Sequence, residues 1–312
     1  MLAKSKVSLV AAIILAVAMP LYAVRSDIGT SSAVFLKIAP GSRPASMGEA
    51  YAGVSDDVNA IFYNPAGPAR IDGSEFTAQY GLWLQNIGYS MLGFVYPVDK
   101  IGTFGLGVIS LGVSGIERRS ADTVSPDNTF GASDSAYIIS FSRTIIENLS
   151  AGLNAKMITQ KIDTNSATAY AGDIGMIWDT PLDGLSFGAS AQNIGTSIKF
   201  LNEADPLPLN YKAGLGFVWE PAASSQITLA ADANMPRDNG FWCSGGVEFK
   251  KDFSQDISAC LRAGYKTVSQ EGLGSGITAG AGIVWKQFGL DFAWVPYGDL
   301  GDTFRYSLLM SF

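Results

Sequence analysis

The sequence has 312 residues, 47% hydrophobic and only 16% charged, with 28 Asp and Glu against 21 Lys and Arg, a formal net charge of −7, two Cys and no His. So much apolar content excludes a disordered chain, and scattered Lys and Arg on an acidic background exclude the cationic footprint that nucleic acid requires. The missing His removes the usual neutral-pH general base, the Ser-His and Cys-His nucleophile pairs and His metal sites, which weakens most enzyme readings.

Lys4 and Lys6 precede the apolar run from Val7 to Met19, followed by Pro20 and the small residue Ala23. A positive start, a short apolar run and a small residue before the cut predict a secretory signal peptide over residues 1–23. The run is too short for a spanning helix, and Val24, not a lipid-bearing Cys, follows the cut. Removing the leader leaves 19 basic residues against 28 acidic ones, a net charge of −9. No later stretch is apolar enough for a transmembrane helix.

Residues 24–73 read as a separate segment. Gly, Pro, Ala and Ser interrupt it, and it lacks strand alternation. Met47, Ala50, Tyr51 and Val54 recur at helical spacing, which predicts one or two turns of helix there. Ser55-Asp56-Asp57 is expected to cap a second short helix running to Phe62. Asn64-Pro65-Ala66-Gly67-Pro68 then forces a rigid turn, because Pro fixes its own φ and restricts the residue before it.

From residue 74 to 312 the period is two. Phe76, Ala78, Tyr80, Leu82 and Leu84 alternate with smaller or polar residues, and the same rhythm returns in Phe104, Leu106, Val108, in Tyr137, Ile139, Phe141 and in Leu290, Phe292, Trp294. Alternation predicts strands with one apolar face. The opposite face carries Gly with Glu75, Gln79, Lys156, Asp173, Lys212, Asp232, Arg262 and Lys266. A soluble sandwich has strands of about five or six residues, whereas these run to ten or twelve, the length a tilted strand needs to cross a bilayer. Trp178, Trp219, Trp285, Trp294 and Tyr297 fall near strand ends, where interfacial girdles sit. An open sheet edge is not tolerated in hydrocarbon. The expected fold is therefore all-β, a closed antiparallel transmembrane barrel of about 14 strands, with the polar residues above facing its lumen and lipid outside.

The predicted strands are roughly 74–84, 86–97, 101–111, 134–144, 148–161, 168–179, 184–194, 209–220, 225–234, 240–251, 256–266, 274–286, 287–297 and 302–312. Longer polar links, Arg118 to Asp134 and Thr196 to Pro208, are expected on the outer side. Cys243 and Cys260 fall on opposite faces and are expected to remain free thiols. The last strand is apolar at Phe304, Tyr306, Leu308, Met310 and Phe312, a pattern that resembles the signal read by the bacterial barrel-assembly machinery.

Chemistry of sites is sparse. Gly272-Leu-Gly-Ser-Gly276 and Gly280-Ala-Gly282 lie in strand patterns without the helix a phosphate cradle needs. Asp56-Asp57 and Asp291 with Asp299 lack the ligand spacing of a calcium loop and read as caps or solvated turns. Glu75, Asp173 and Asp232 lie on separate strands, and no spacing pairs them for acid–base work. No metal, cofactor or enzymatic activity is expected. Lys156, Lys212, Arg262 and Lys266 are expected to pair with Asp173 and Asp232 inside the barrel.

The stretch from Gly41 to Gly67, which holds Met47-Gly48, Asp56-Asp57 and Asn64-Pro65-Ala66-Gly67, resembles the N-terminal motif of the PorV/PorQ family. That family is related to FadL-type fatty-acid channels, which carry a similar Asn-Pro-Ala in their plug. Asn193 to Phe200 with Asp205 to Leu209, and Phe288 to Leu300, extend the resemblance over nearly the whole mature chain. It implies a fourteen-stranded outer-membrane barrel whose segment 24–73 folds into the lumen as a plug. It also implies an accessory of a type IX-like secretion apparatus, with secreted proteins or apparatus components as partners. The alternative is a FadL-like channel that lets a hydrophobic small molecule pass the plug and leave sideways into the membrane. An apolar tunnel of about 300 Å³ or more would favour the channel, and a large apolar patch on the outer loops would favour cargo binding.

Overall fold

The computed structural model describes residues 28–200, 202–267 and 275–312. The expected signal peptide, and most of the Gly272–Gly276 run, lie outside the described residues. Sixteen strands follow one another: β1 (Glu75–Leu82), β2 (Gly88–Val98), β3 (Gly102–Arg118), β4 (Asn128–Ile146), β5 (Leu149–Ile162), β6 (Asn165–Asp179), β7 (Leu185–Gly195), β8 (Ile198–Phe200), β9 (Glu203–Asp205), β10 (Asn210–Ala222), β11 (Ser225–Pro236), β12 (Trp242–Asp252), β13 (Ile257–Lys266), β14 (Ile277–Trp285), β15 (Phe288–Pro296) and β16 (Asp302–Ser311). Fourteen of them close a barrel in which every neighbour is antiparallel and β1 pairs with β16, while β8 and β9 form a separate two-stranded sheet. Closure leaves no strand edge to meet hydrocarbon.

Alternation sorts the residues by solvent. Ile139 is 64% exposed, Leu106 56% and Tyr137 47%, whereas Lys156 and Arg262 are 8% and 7% exposed. Apolar groups outside and charges inside are the inverse of a soluble sandwich, and this distribution matches a barrel set in lipid. On β16, Phe304 and Tyr306 point outward, and the inward positions hold Thr303, Arg305 and Ser307. Trp178 and Trp285 lie at the short-turn end of the barrel and are exposed.

Four local expectations need correction. First, β3 and β4 run well past 111 and begin before 134, forming a raised hairpin with a register shift between Val113 and Ile116. Above the bilayer the outward positions need not be apolar, so polar strand residues read as loop. Second, the link from Thr196 to Pro208 contains the β8–β9 hairpin, and its Ile198 and Leu207 are buried in the main core. Third, Tyr297 is not part of a girdle. It turns inward, edge-on to Trp83 at 4.6 Å between ring centroids, and its hydroxyl accepts a bond from Arg305 Nη2 at 3.2 Å. Fourth, the helices of the N-terminal segment are displaced. α1 (Ser42–Ser46) ends where the first was expected to begin, and α2 (Ala60–Tyr63) starts after Asn59, with Asp57 Oδ1 accepting the Asn59 N–H at 2.8 Å.

From residue 33 to 72 the N-terminal segment lies inside the barrel as a plug. Its Phe35, Met47, Tyr51 and Ile61 are fully buried and form one core with lumen-facing Met91, Ile109, Ile138 and Ile158. The plug reaches the wall backbone itself. A Cβ built on Gly246 would sit 2.5 Å from Met47 O, one on Gly216 2.9 Å from the Gly53 carbonyl carbon, and those on Gly152 and Gly188 would overlap Pro65 O and Ala52 O. Glycine on the lumen face here is a requirement of close approach.

Cys243 and Cys260 are both buried free thiols. Cys260 lies opposite Lys250 and Cys243 opposite Ala233 in the ladder, so the two sulfurs belong to distant positions of the wall.

Candidate functional site: the plug and the cavity above it

A backbone without regular structure survives burial only if its polar groups find partners. Wall side chains supply them. Asn154 Nδ2 donates to Ile61 O at 2.9 Å, Ser190 Oγ to Tyr63 O at 3.1 Å, Ser186 Oγ to Gly53 O at 2.8 Å and Gln192 Nε2 to Phe62 O at 2.9 Å. In the other direction, Asp232 Oδ2 accepts the N–H groups of Tyr51 and Ala52, each at 2.9 Å. Glu75 Oε2 accepts from Val58 N at 2.8 Å, and Gln79 Oε1 from Gly41 N at 2.6 Å.

Asn64, fully buried, is the joint of the plug motif. Its Nδ2 donates to Ala52 O at 2.9 Å and to Met176 O on β6 at 3.0 Å, while its Oδ1 accepts from Ala66 N at 3.2 Å. Pro65 lies against Gly152 and Gly175 of the wall, and a Cβ on Gly67 would meet Ala60 Cβ at 2.5 Å. Met47 lies on Gly246, and Gly48 has a φ of 66° with its N–H donating to Thr278 Oγ1 at 3.1 Å. These contacts fasten the motif to the wall over most of the circumference.

Charge fastens it further. Arg43 of α1 donates from Nε and Nη2 to both oxygens of Glu248, 2.9 Å each, and from Nη1 to Asp56 at 2.6 Å, Asp57 at 2.9 Å and Tyr51 Oη at 2.9 Å. Glu248 and Asp291 each accept from Arg262 at 2.5 Å. Lys266 pairs with Glu49 of the plug at 2.7 Å, and Lys156 with Asp173 at 2.7 Å. Burial, the largest single influence, would raise the Glu49 carboxyl, but the cations Lys266, Lys212 and Arg305 together outweigh it and hold Glu49 below the ordinary glutamate value. Burial pushes the Asp57 carboxyl up, and the Arg43 charge only partly offsets this.

The sequence-predicted lumen residues all lie on the inner face, but their pairing differs from expectation. Lys156 meets Asp173 and Lys212 approaches Asp232 at 3.9 Å. Arg262 goes to Glu248, its direct ladder neighbour, and to Asp291, while Lys266 goes to Glu49 of the plug. Asp232, in the same ladder row as Lys266 with Ser244 between them, accepts from the plug's Tyr51 and Ala52 N–H groups instead. Asp291 is thus a lumen partner of Arg262 and not a solvated turn. Arg43, Glu49, Glu248, Asn210, Asn234 and Arg305 were missed. Parity was the available signal: Glu248 stands between the outward residues Val247 and Phe249.

On the long-loop side of the plug is a cavity of about 230 Å³. Phe62 and Tyr63 of the plug lie in its floor, Leu36 to Pro40 along one side, and Gln192, Asn210, Lys212, Asn234, Trp242 and Lys266 on the wall. It is smaller than the expected tunnel, mixes polar with apolar groups, and ends on the plug. Outside the barrel, a lipid-side depression of about 570 Å³ runs over β6, β7, β10 and β11, where Ile174, Ala189, Ala191, Ala213 and Ala233 line it. Lys212 and Asn234 line both spaces, and beside them the wall carries a bulge. Gly172 pairs with Ile194 and Ile174 with Ala191, so Gln192 and Asn193 together oppose Asp173. Asn193 has a φ of 61°, and its N–H donates to the Asp173 carboxylate at 2.8 Å instead of to backbone. A bulge of this kind interrupts the ladder locally.

No protein-family model matches the chain, and no curated relative matches it. Solved structures do share its fold. The CymD monoaromatic hydrocarbon channel superposes with a TM-score of 0.59 at 12% identity, covering 87% of this chain and 97% of that one. The Pseudomonas putida toluene transporter TodX gives 0.54 at 11% identity, over 85% and 96% of the two chains. A Pseudomonas aeruginosa FadL homologue gives 0.54 at 13% identity, over 87% and 98%. At such identities the likeness is one of fold alone: a closed fourteen-strand antiparallel barrel.

Proposed function

We propose that this chain is an exported outer-membrane channel for small hydrophobic molecules. They enter from the long-loop side, dwell in the cavity above the plug and leave sideways into the bilayer through the bulged seam between β6 and β7. The observation that carries this reading is that Phe62 and Tyr63 of the plug line the cavity while Lys212 and Asn234 line both the cavity and the lipid-side depression, so the two spaces lie on opposite sides of the same stretch of wall, beside the Asp173–Asn193 bulge. The solved channels of the same fold support it, since their names give hydrocarbons and toluene as what they carry. The export leader over residues 1–23, the plug over 24–73, and a last strand ending in Phe312 for the barrel-assembly machinery belong to the same reading. The secretion-accessory role that the Gly41–Gly67 motif implies draws no support from the comparisons.

A disulfide across the seam tests the route. Ile174 and Ala191 are direct ladder partners beside the bulge, so I174C/A191C, in a chain whose Cys243 and Cys260 are replaced by Ser, staples β6 to β7. Toluene uptake by cells carrying this variant is expected to fall to the background of chain-free cells on oxidation and to recover on reduction. Equal uptake in both states would show that the molecule does not leave by this seam.

A further inference from the structure

Three of the four charged groups lining the cavity, Lys37, Glu49 and Lys266, have close partners. Lys266 holds Glu49 at 2.7 Å, and Lys37 is paired with Asp238. Lys212 is different. Its side chain is 5% exposed, and among the described residues its ammonium meets no hydrogen-bond acceptor. It approaches Asp232 at 3.9 Å and lies 5.0 Å from the centroid of the Tyr63 ring. The nearer Asp232 oxygen is already taken by the Tyr51 and Ala52 N–H groups. A buried ammonium with three donors and no acceptor is costly unless something supplies one.

A second pair of unpartnered groups lines the same cavity. Asn210 Nδ2 donates to Asn234 Oδ1 at 3.3 Å, which leaves Asn210 Oδ1 and Asn234 Nδ2 without partners. Asn234 is fully buried. The cavity therefore holds one ammonium, one amide donor and one amide acceptor without partners, and Tyr63, Phe62 and Trp242 line it with them. Size narrows the occupant further. A dry cavity of about 150 Å³ takes benzene, so about 230 Å³ holds one ring and a short substituent but no extended acyl chain. The cations around it, Lys37, Lys212, Lys266 and Arg305, exceed the carboxylates Glu49, Asp232 and Asp238 by one.

We propose that the cavity is a binding site for a small aromatic monocarboxylate, with its ring against Tyr63 and Trp242 and its carboxylate accepting from Lys212 Nζ and Asn234 Nδ2. This rests on the channel reading and sharpens its substrate from plain hydrocarbon to a ring with an anionic head. The exit fits such a molecule: Lys156, Asp173 and Asn193 give the bulge a polar track for the head, and the depression outside takes the ring.

The test is titration calorimetry of the full-length purified barrel with benzoate, with toluene as the same ring lacking the head, and with hexadecanoate as the head on a long chain. Benzoate is expected to bind more tightly than either. K212M should weaken benzoate at least tenfold and leave toluene unchanged, and K212R should retain most of the benzoate affinity. Because K212M leaves Asp232 without its cation, N234V serves as an independent variant, expected to weaken benzoate several-fold with toluene unchanged. Each variant is checked for folding by heat-modifiable gel mobility. Toluene bound as tightly as benzoate, tighter binding of hexadecanoate, or benzoate affinity unchanged in N234V and K212M overturns the proposal and leaves the channel reading standing. Failure of all three to bind overturns both.

Discussion

Removing residues 33–72 should turn a barrel that holds back ions into one that conducts them. The plug meets the wall at backbone distance around much of the circumference, and its buried side chains share one core with lumen-facing residues. Emptying a barrel of this size leaves a lumen in which Gly, Ser, Asn and charges stand beside the apolar Met91, Ile109, Ile138 and Ile158, polar enough for water to enter. In planar bilayers the intact chain is expected to give a flat baseline and the deleted chain stepwise ohmic current. Deletion strips Asp232 and Glu248 of plug partners, so folding must be checked by heat-modifiable mobility. G188L gives a second route with the full chain present, because its side chain would displace the Ala52 carbonyl. Flat baselines from folded forms of both would show that the segment does not seal the lumen.

The second large effect is on stability. Arg43 is the only cation that touches Asp56, Asp57 and Glu248 together among the described residues, and its side chain is 13% exposed. R43M leaves three carboxylates in a low-dielectric lumen, with Glu248 keeping only Arg262. Breaking a buried pair by removing one partner costs about 3–5 kcal/mol, and R43M is expected to fall in that range in urea unfolding of barrels folded into lipid vesicles. R43M/E248Q should lose less than the two single changes added together, because they share one interaction. A loss below about 1 kcal/mol in R43M, the scale of a surface pair, would mean that the cluster is solvated and does not hold the plug.

Much of the barrel was legible in period two. Strand number followed from runs such as Phe104, Leu106, Val108, and the choice of barrel over sandwich followed from Lys156 and Arg262 standing opposite apolar faces of membrane-crossing length. The plug was legible as a separate segment through its Pro, Gly and Ala, but its conformation was not. Its carbonyls are satisfied by Asn154, Ser186, Ser190 and Gln192, more than 90 residues away, and no local pattern carries that information. The same holds for ion pairs. Alternation puts Arg262 inside, but only the shear of the closed sheet decides that it meets Glu248 and Asp291 and not Asp232. Asn210 and Asn234 fall inside predicted strands, and a lone Asn there carries no local signal of a partner. Only the closed wall shows them side by side with unfilled hydrogen bonds.

Radiolabelled toluene uptake by cells carrying the intact chain, measured beside the ion conductance of the same purified barrel, bears most directly on whether a plugged barrel can pass hydrophobes sideways. The expected result is uptake clearly faster than in chain-free cells together with no ohmic current. Uptake no faster than in chain-free cells, or steady ion current through the intact barrel, would contradict it.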